Sequence, residues 1–327
     1  MPLSRLSLSL VVLSPLAAAA AALFVGAYGL TPQAVWAALT GVPAGPESSI
    51  VLDIRLPRIL LAGLVGAILA GSGTCLQAVF RNPLVDPFIL GVSAGAAFGC
   101  AVGIGFVPAL PLPFLAFFFA ALAVAAACVL GGVGGDSRLT LVLAGVVVSA
   151  LFTALVSLVK VMVDPQRLQS IVFWLMGSFA LARWQQVALV AGALVVGLGP
   201  VLALRWRLNA LSLGDDEARA LGVEAGRLRF LLITVTTLAV AVAVSVSGIV
   251  GWVGLMVPHL VRMVFGPDHR RLLPLAMAGG ATFVIAADTV ARSLANWEVP
   301  VGIVTALAGA PFFVLLLRRG RKGRWGA

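Results

Sequence analysis

Charge is scarce in this sequence: of 327 residues only 10% are Asp, Glu, Lys or Arg, while 61% are hydrophobic and the mean hydropathy is +1.12. Soluble domains carry roughly 25% charged residues, so a soluble enzyme is excluded. Cysteine is nearly absent as well. Cys75, Cys100 and Cys128 lie in separate apolar runs with no CxxC spacing, which argues against a disulfide framework or a cysteine metal site and leaves three small core residues. The chain has two lysines, Lys160 and Lys322, and two histidines, His259 and His269. No GxxxxGKS/T loop accompanies the lysines, so the sequence offers no cradle for nucleotide phosphates, and any ATP must be hydrolysed by another chain. GxSxG and HExxH signatures are missing too; neither a catalytic residue nor a metal ligand is expected. The net charge of +10 comes almost wholly from Arg in short clusters without interleaved aromatics, a topology signal rather than a nucleic-acid face.

Long apolar runs are what the chain has in abundance. At about 20 residues per crossing, its length holds about ten transmembrane helices and no sizeable soluble domain. Turn and charge signals place spans near residues 8–30, 59–80, 90–106, 114–131, 139–161, 184–204, 229–247, 249–264, 272–291 and 300–317. The expected fold is therefore an all-α integral membrane protein, one membrane domain over residues 1–327, with several spans short or broken by Gly and Pro. Such interruptions are tolerated only inside protein or beside a cavity, which favours a transporter. The start, Met1 to Arg5 and then an apolar stretch to Leu30, exceeds the 7–15 apolar residues of a signal core, so a retained first helix is expected. An even number of spans puts both termini on one side. That side then receives Arg5, Arg81, Arg138, Arg205, Arg207, Arg219, Arg227, Arg229, Arg262, Arg270, Arg271 and the tail Arg318, Arg319, Arg321, Lys322 and Arg324. The other receives Arg55, Arg58, Lys160, Arg167, Arg183 and Arg292. The positive-inside rule places the larger group and both termini in the cytoplasm.

Several short patterns stand out within this frame. Gly91, Gly95, Gly99 and Gly103 recur at every fourth residue, lining one helix face for close packing or for a smooth pathway wall. Arg81-Asn82-Pro83-Leu84-Val85-Asp86-Pro87 has two prolines that forbid a continuous helix; it reads either as polar backbone lining a gate or as a plain cytoplasmic turn. At the outer face Arg55 and Arg58 are three residues apart, and Arg292 follows Asp288 by four, within reach of a local ion pair. These arginines are either interface anchors or receivers of carboxylates from an external protein. The motif at residues 246–254 interrupts two spans and Ser72-Gly73 punctuates the second in a comparable place, hinting at an internal repeat. The longest polar interruption, residues 205–229, is expected to be a cytoplasmic loop. Within it Leu213-Gly214-Asp215-Asp216-Glu217-Ala218-Arg219-Ala220-Leu221-Gly222 reads as a short helix with acids in its first turn and Gly at its stop. Exposed Leu211, Leu213, Leu221 and Val223 are expected to flank it, to be covered by a partner or by the chain's own bundle.

Six runs, at residues 55–58 (RLPR), 82–95 (NPLVDPFILGVSAG), 213–223 (LGDDEARALGV), 251–262 (GWVGLMVPHLVR), 267–271 (PDHRR) and 299–311 (VPVGIVTALAGAP), together resemble the FecCD family. Its members are permease subunits of ABC importers for vitamin B12, iron-siderophore and haem. The resemblance implies a ten-helix subunit of the bacterial inner membrane that homodimerises around a central pathway. Two ATPase subunits, which hold ATP and Mg, are implied below it and one periplasmic binding protein above. It further implies that Arg55, Arg58 and Arg292 meet acidic residues of the binding protein, that Asn82 and Leu84 belong to the cytoplasmic gate, and that residues 214–222 form the coupling element inserted into the ATPase. The stretches 173–178 (FWLMGS), 208–211 (LNAL) and 214–219 (GDDEAR) look most like haem-importing members, so haem is the expected cargo, with ferric siderophore or cobalamin as the alternative. An ion-coupled secondary transporter would usually carry intramembrane acids, and only Asp86 and Asp288 lie near membrane depth.

Overall fold

The computed structural model describes residues 5–26, 28–41, 45–132, 138–294 and 297–320. Met1 and the basic tail residues Arg321, Lys322 and Arg324 lie outside the described residues. Among the described residues there are helices and no strand. In chain order they are α1 (Arg5–Phe24), α2 (Pro32–Thr40), α3 (Pro46–Ser49), α4 (Leu56–Phe80), α5 (Val92–Gly105), α6 (Leu112–Gly131), α7 (Arg138–Met162), α8 (Pro165–Leu175), α9 (Trp184–Ala193), α10 (Gly199–Ala203), α11 (Arg205–Leu213), α12 (Asp215–Ala220), α13 (Ala225–Ser247), α14 (Val253–Phe265), α15 (His269–Ala291) and α16 (Val301–Gly320). Wider π turns at Ile50–Arg55 and Leu194–Leu198 run straight into α4 and α10. Among the described residues six helical stretches are long and apolar enough to cross a membrane, and four shorter apolar helices join them.

A helix that is apolar all round belongs in the middle of a bundle, and α4 is one: nearly every residue from Pro57 to Phe80 is buried. Helices α1, α13, α14 and α15 pack around it, while α5, α6 and α7 form a second group joined through α13. The α4–α15 approach is set by two glycines. A Cβ on Gly66 would lie 2.2 Å from the carbonyl oxygen of Gly280, and one on Gly280 would lie 2.3 Å from that of Gly66.

The structure corrects the expected punctuation of α4. Ser72-Gly73 causes no break; both residues are buried inside a continuous helix, and Gly73 lets the chain at Gly254 come so close that a Cβ would sit 1.9 Å from its carbonyl oxygen. The real interruptions flank the two half-length helices. Residues 81–91 fold back into the bundle with Val85 and Leu90 buried, and α5 follows. Residues 248–252 do likewise before α14, with Trp252 in the left-handed region at φ 73.

With 25 residues, α4 spans about 37 Å and separates Arg58 from Arg81. The inner end is the Arg81 end, the one that the charge bias expects to face the cytoplasm. Within residues 205–229 lie two short helices, α11 and α12, ahead of the start of α13.

Candidate functional site

At the inner end one carboxylate gathers three guanidinium groups. Asp215, the first residue of α12, accepts from Arg229 Nη2 at 2.7 Å, from Arg81 Nη2 at 3.2 Å and from Arg138 Nη2. Arg81 is the C-cap of α4, in the left-handed conformation at φ 50; Arg138 begins α7, and Arg229 lies near the start of α13 with its side chain only 5% exposed. Burial raises the Asp215 carboxyl, but the hydrogen bond and charge of Arg229, with the charges of Arg138 and Arg81, outweigh it and hold the group below the usual aspartate range. Neither Arg81 nor Arg138 nor Arg229 stood out in the sequence as a partner for this acid. They lie 134, 77 and 14 positions from Asp215, and nothing in local spacing joins them.

The rest of α12 turns outward. Leu213 and Leu221 are 65% and 59% exposed, and Asp216, Glu217 and Arg219 are exposed beside them. Ala218 is fully buried and seats the helix. Gly214 is buried with the Glu217 carboxylate laid against it, and Gly222 takes φ 75 at the turn that follows. Leu211 and Val223, expected at the surface, are 2% and 4% exposed; they are the apolar side of α11 and the return into α13. Beside α12, residues 222–227 and Arg219 line an open groove of about 500 Å³.

The segment after Arg81 is held by its own side chains. Asn82 Oδ1 accepts from the Leu84 amide, and Asp86 Oδ1 from the Phe88 amide, each at 2.9 Å. Leu84 is 52% exposed at the tip. Burial pushes the Asp86 carboxyl up to about 6 against the opposing hydrogen bond from Phe88. Behind the segment, buried Gln77 donates to Val85 O and Gly254 O and accepts from Arg262 Nη2 at 2.8 Å. One amide thus joins α4, the segment and α14. Gln77 was not singled out in the sequence, where Ser72 and Thr74 share its otherwise apolar run.

The outer arginines turn inward. Arg58 is 6% exposed; its Nε and Nη2 grip Asp288 at 2.9 Å and its Nη1 reaches Glu298 at 2.6 Å. Buried Arg55 donates to the carbonyls of Leu23 and Tyr28, and half-buried Arg292 to that of Ala22. The Asp288 partner expected to be Arg292 four residues away is Arg58 of α4 instead. A buried guanidinium has to place its donors on acceptors, and here the chain's own groups supply them. Glu298 also lines a cavity of about 460 Å³ with Phe173, Trp174, Ser178, Ser245 and Ser247, at the C-terminal ends of α8 and α13.

The glycine row divides. At Gly95 and Gly99 a Cβ would lie 2.3 and 2.2 Å from the α6 carbonyls of Phe119 and Leu115. Gly103 meets only leucine side chains, the nearest at 2.9 Å, and Gly91 is the N-cap of α5 with φ 86. Cys75 and Cys100 are buried and Cys128 half-buried. Among the described residues no group of three or more His, Cys, Asp or Glu is placed to hold a metal ion.

The FecCD transport family matches residues 13–319. The chain is 47% identical to a probable iron chelatin transport system permease protein of Helicobacter pylori, over 84% of each chain. It is 42% identical to the molybdate import system permease protein of Haemophilus influenzae, over 91% of each, and 42% identical to the hemin transport system permease protein of Yersinia pestis, over 84% of this chain and 85% of that one. A solved inward-facing transporter described as of metal-chelate ABC type superposes with a TM-score of 0.87 at 41% identity, covering 97% of this chain and 100% of the other.

Proposed function

The chain belongs to the FecCD transport family, and from that premise we propose that it forms one half of a homodimeric pathway through a bacterial inner membrane, loaded by a periplasmic binding protein and driven by two cytoplasmic ATPase subunits. It is a multi-pass membrane permease of an ABC importer with no covalent chemistry of its own; ATP and Mg belong to the partner subunits. The observation that carries the reading is the inner end. A short helix, α12, is flanked by exposed Leu213 and Leu221, which would face a partner, while its other side is fixed to the bundle, and the sequence has no phosphate loop. Nucleotide binding to partners that grip α12 would bias the pathway between outward and inward opening, with Asn82 and Leu84 at the gate. Asp288 is neutralised by Arg58, which gives no support to an ion-coupled transporter.

For the cargo the reading is an iron-containing chelate, with haem as its first candidate. Relatives named for iron chelatin and for hemin support this, and so does the outer cavity, whose wall of Phe173 and Trp174 with serines between suits a flat, mostly apolar ligand bearing polar edges. The relative named for molybdate makes a small oxyanion the competitor to test. Docking of the binding protein is assigned to the outer end around Arg55, Arg58 and Arg292. The experiment is reconstitution of the chain with its neighbouring ATPase and binding protein in liposomes, followed by haem, a ferric siderophore, cobalamin and molybdate in the lumen. ATP-dependent accumulation of haem alone supports the whole reading. Selective uptake of another compound keeps the importer and replaces the cargo, and movement down an ion gradient without partners would overturn the importer itself.

A further inference from the structure

Asp215 faces the wrong way for a residue that serves the partner. Its neighbours Asp216 and Arg219 have side chains 94% and 66% exposed, whereas Asp215 turns its carboxylate inward onto three arginines and is 25% exposed. The three come from three different places: the end of α4, the start of α7 and the first turns of α13. One negative charge among three positive ones leaves an excess of two, and the Nε atoms of both Arg138 and Arg229 are buried without a partner. Like charges this close repel, so the arginines stay together only while the carboxylate sits between them. Arg81 is also the residue at which α4 ends, and Asn82 and Leu84 follow it directly.

We infer that Asp215 is the positioning residue that ties the partner-gripped helix α12 to the gate segment, so that displacement of α12 pulls on Arg81 and through it on residues 82–86. The other two arginines complete the joint by making α7 and α13 the fixed points against which the pull acts. The joint is charge-assisted: Oδ1 takes Arg81 at 3.2 Å together with Arg138, and Oδ2 takes Arg229 at 2.7 Å, so a displacement of the one carboxylate acts on all three arginines. This inference rests on the coupling reading of α12 given above.

The test uses the complete complex with its ATPase and binding protein in vesicles, with Leu84→Cys as a reporter for a thiol reagent; Cys75 and Cys100 are buried, and Cys128→Ala clears the third thiol. In the parent complex, nucleotide binding is expected to change the Leu84→Cys labelling rate several-fold. In Asp215→Asn that nucleotide dependence disappears and transport per ATP hydrolysed falls at least five-fold, while the ATPase still co-purifies and hydrolyses. Arg81→Gln should do the same, and the double variant should be no worse than either single one. Retained nucleotide-dependent labelling and transport in Asp215→Asn would overturn the tie. Should that variant fail to assemble, Arg81→Gln, which leaves Arg138 and Arg229 on the carboxylate, decides by the same readout. Leu213→Asp and Leu221→Asp separate the two readings. If they leave ATPase binding untouched, the coupling role of α12 itself is wrong; if they abolish it while Asp215→Asn still switches, only the tie is wrong.

Discussion

Two aspartates at the inner end sit in opposite surroundings and respond oppositely to acid. Asp215, among arginines, is held low; its contribution to stability is complete above the ordinary aspartate pKa of about 3.9 and is lost as pH falls through the lower folded value. Asp86 has no cation within hydrogen-bonding reach among the contacts that hold it, and burial raises it to about 6. The folded chain therefore binds this proton more tightly than the unfolded one, so the contribution favours the fold below about pH 4 and is lost as pH rises through about 6. Asp86→Asn keeps the acceptor for the Phe88 amide and removes the charge. It should be more stable than the parent at pH 8 by on the order of 1 kcal/mol and equal to it at pH 4, read by thermal unfolding in detergent at both values. The same gain at both would show that charge burial is not the cause. Composition and spacing revealed that these acids exist and that Asp215 opens a helix; they carried no trace of which cations lie beside each.

Among the helices, the irregular segments matter more than the long ones. Residues 81–91 and 248–252 shorten α5 and α14, and both breaks were legible, the first from its two prolines and the second from its glycines. Helix α8 was not, because its largely polar first half and its five-residue apolar second half are each too short to stand out from a connection, and Asp164, which caps it by accepting from Gln166 and Arg167, is an ordinary loop residue until the turn forms. The glycine row was visible as a spacing but not as a surface, since a period of four names a face without naming the neighbour. Its members should separate by mutation. Gly95→Ala and Gly99→Ala force backbone apart at α6 and should each cost about 1–3 kcal/mol, whereas Gly103→Ala, facing leucine side chains that can move, should cost well under 1 kcal/mol. Thermal stability of the three variants in one detergent checks this, and equal effects would mean that the row does not work through α6.

For the whole molecule, charge is divided between two ends and the flanks are apolar. Val129, Leu151, Val161 and Leu307 are exposed on these flanks. At the outer end Arg55, Arg58 and Arg292 all donate to the chain itself, but Arg55 and Arg58 are buried and Arg292 is only half-buried, which makes it the arginine of the three best placed to receive a carboxylate from a docking protein. Arg292→Gln should lower the affinity of the binding protein several-fold at low salt and less at high salt, because screening already weakens the parent pair. Unchanged affinity at low ionic strength would assign Arg292 to packing alone.

Hydropathy, the Gly and Pro breaks and the bias of arginine to one side determined, without coordinates, that this is a helical membrane protein with no phosphate loop and with a short acidic helix in its longest polar loop. Those properties are local, each written in a window of about twenty residues or fewer. What the tertiary structure decided is which groups meet: Arg58 with Asp288 rather than Arg292, Gly73 with Gly254 rather than a kink, and Asp215 with arginines of three other helices. Each of those pairings joins positions far apart in the chain, and their energies depend on distance and burial, which sequence spacing does not encode beyond one or two helical turns.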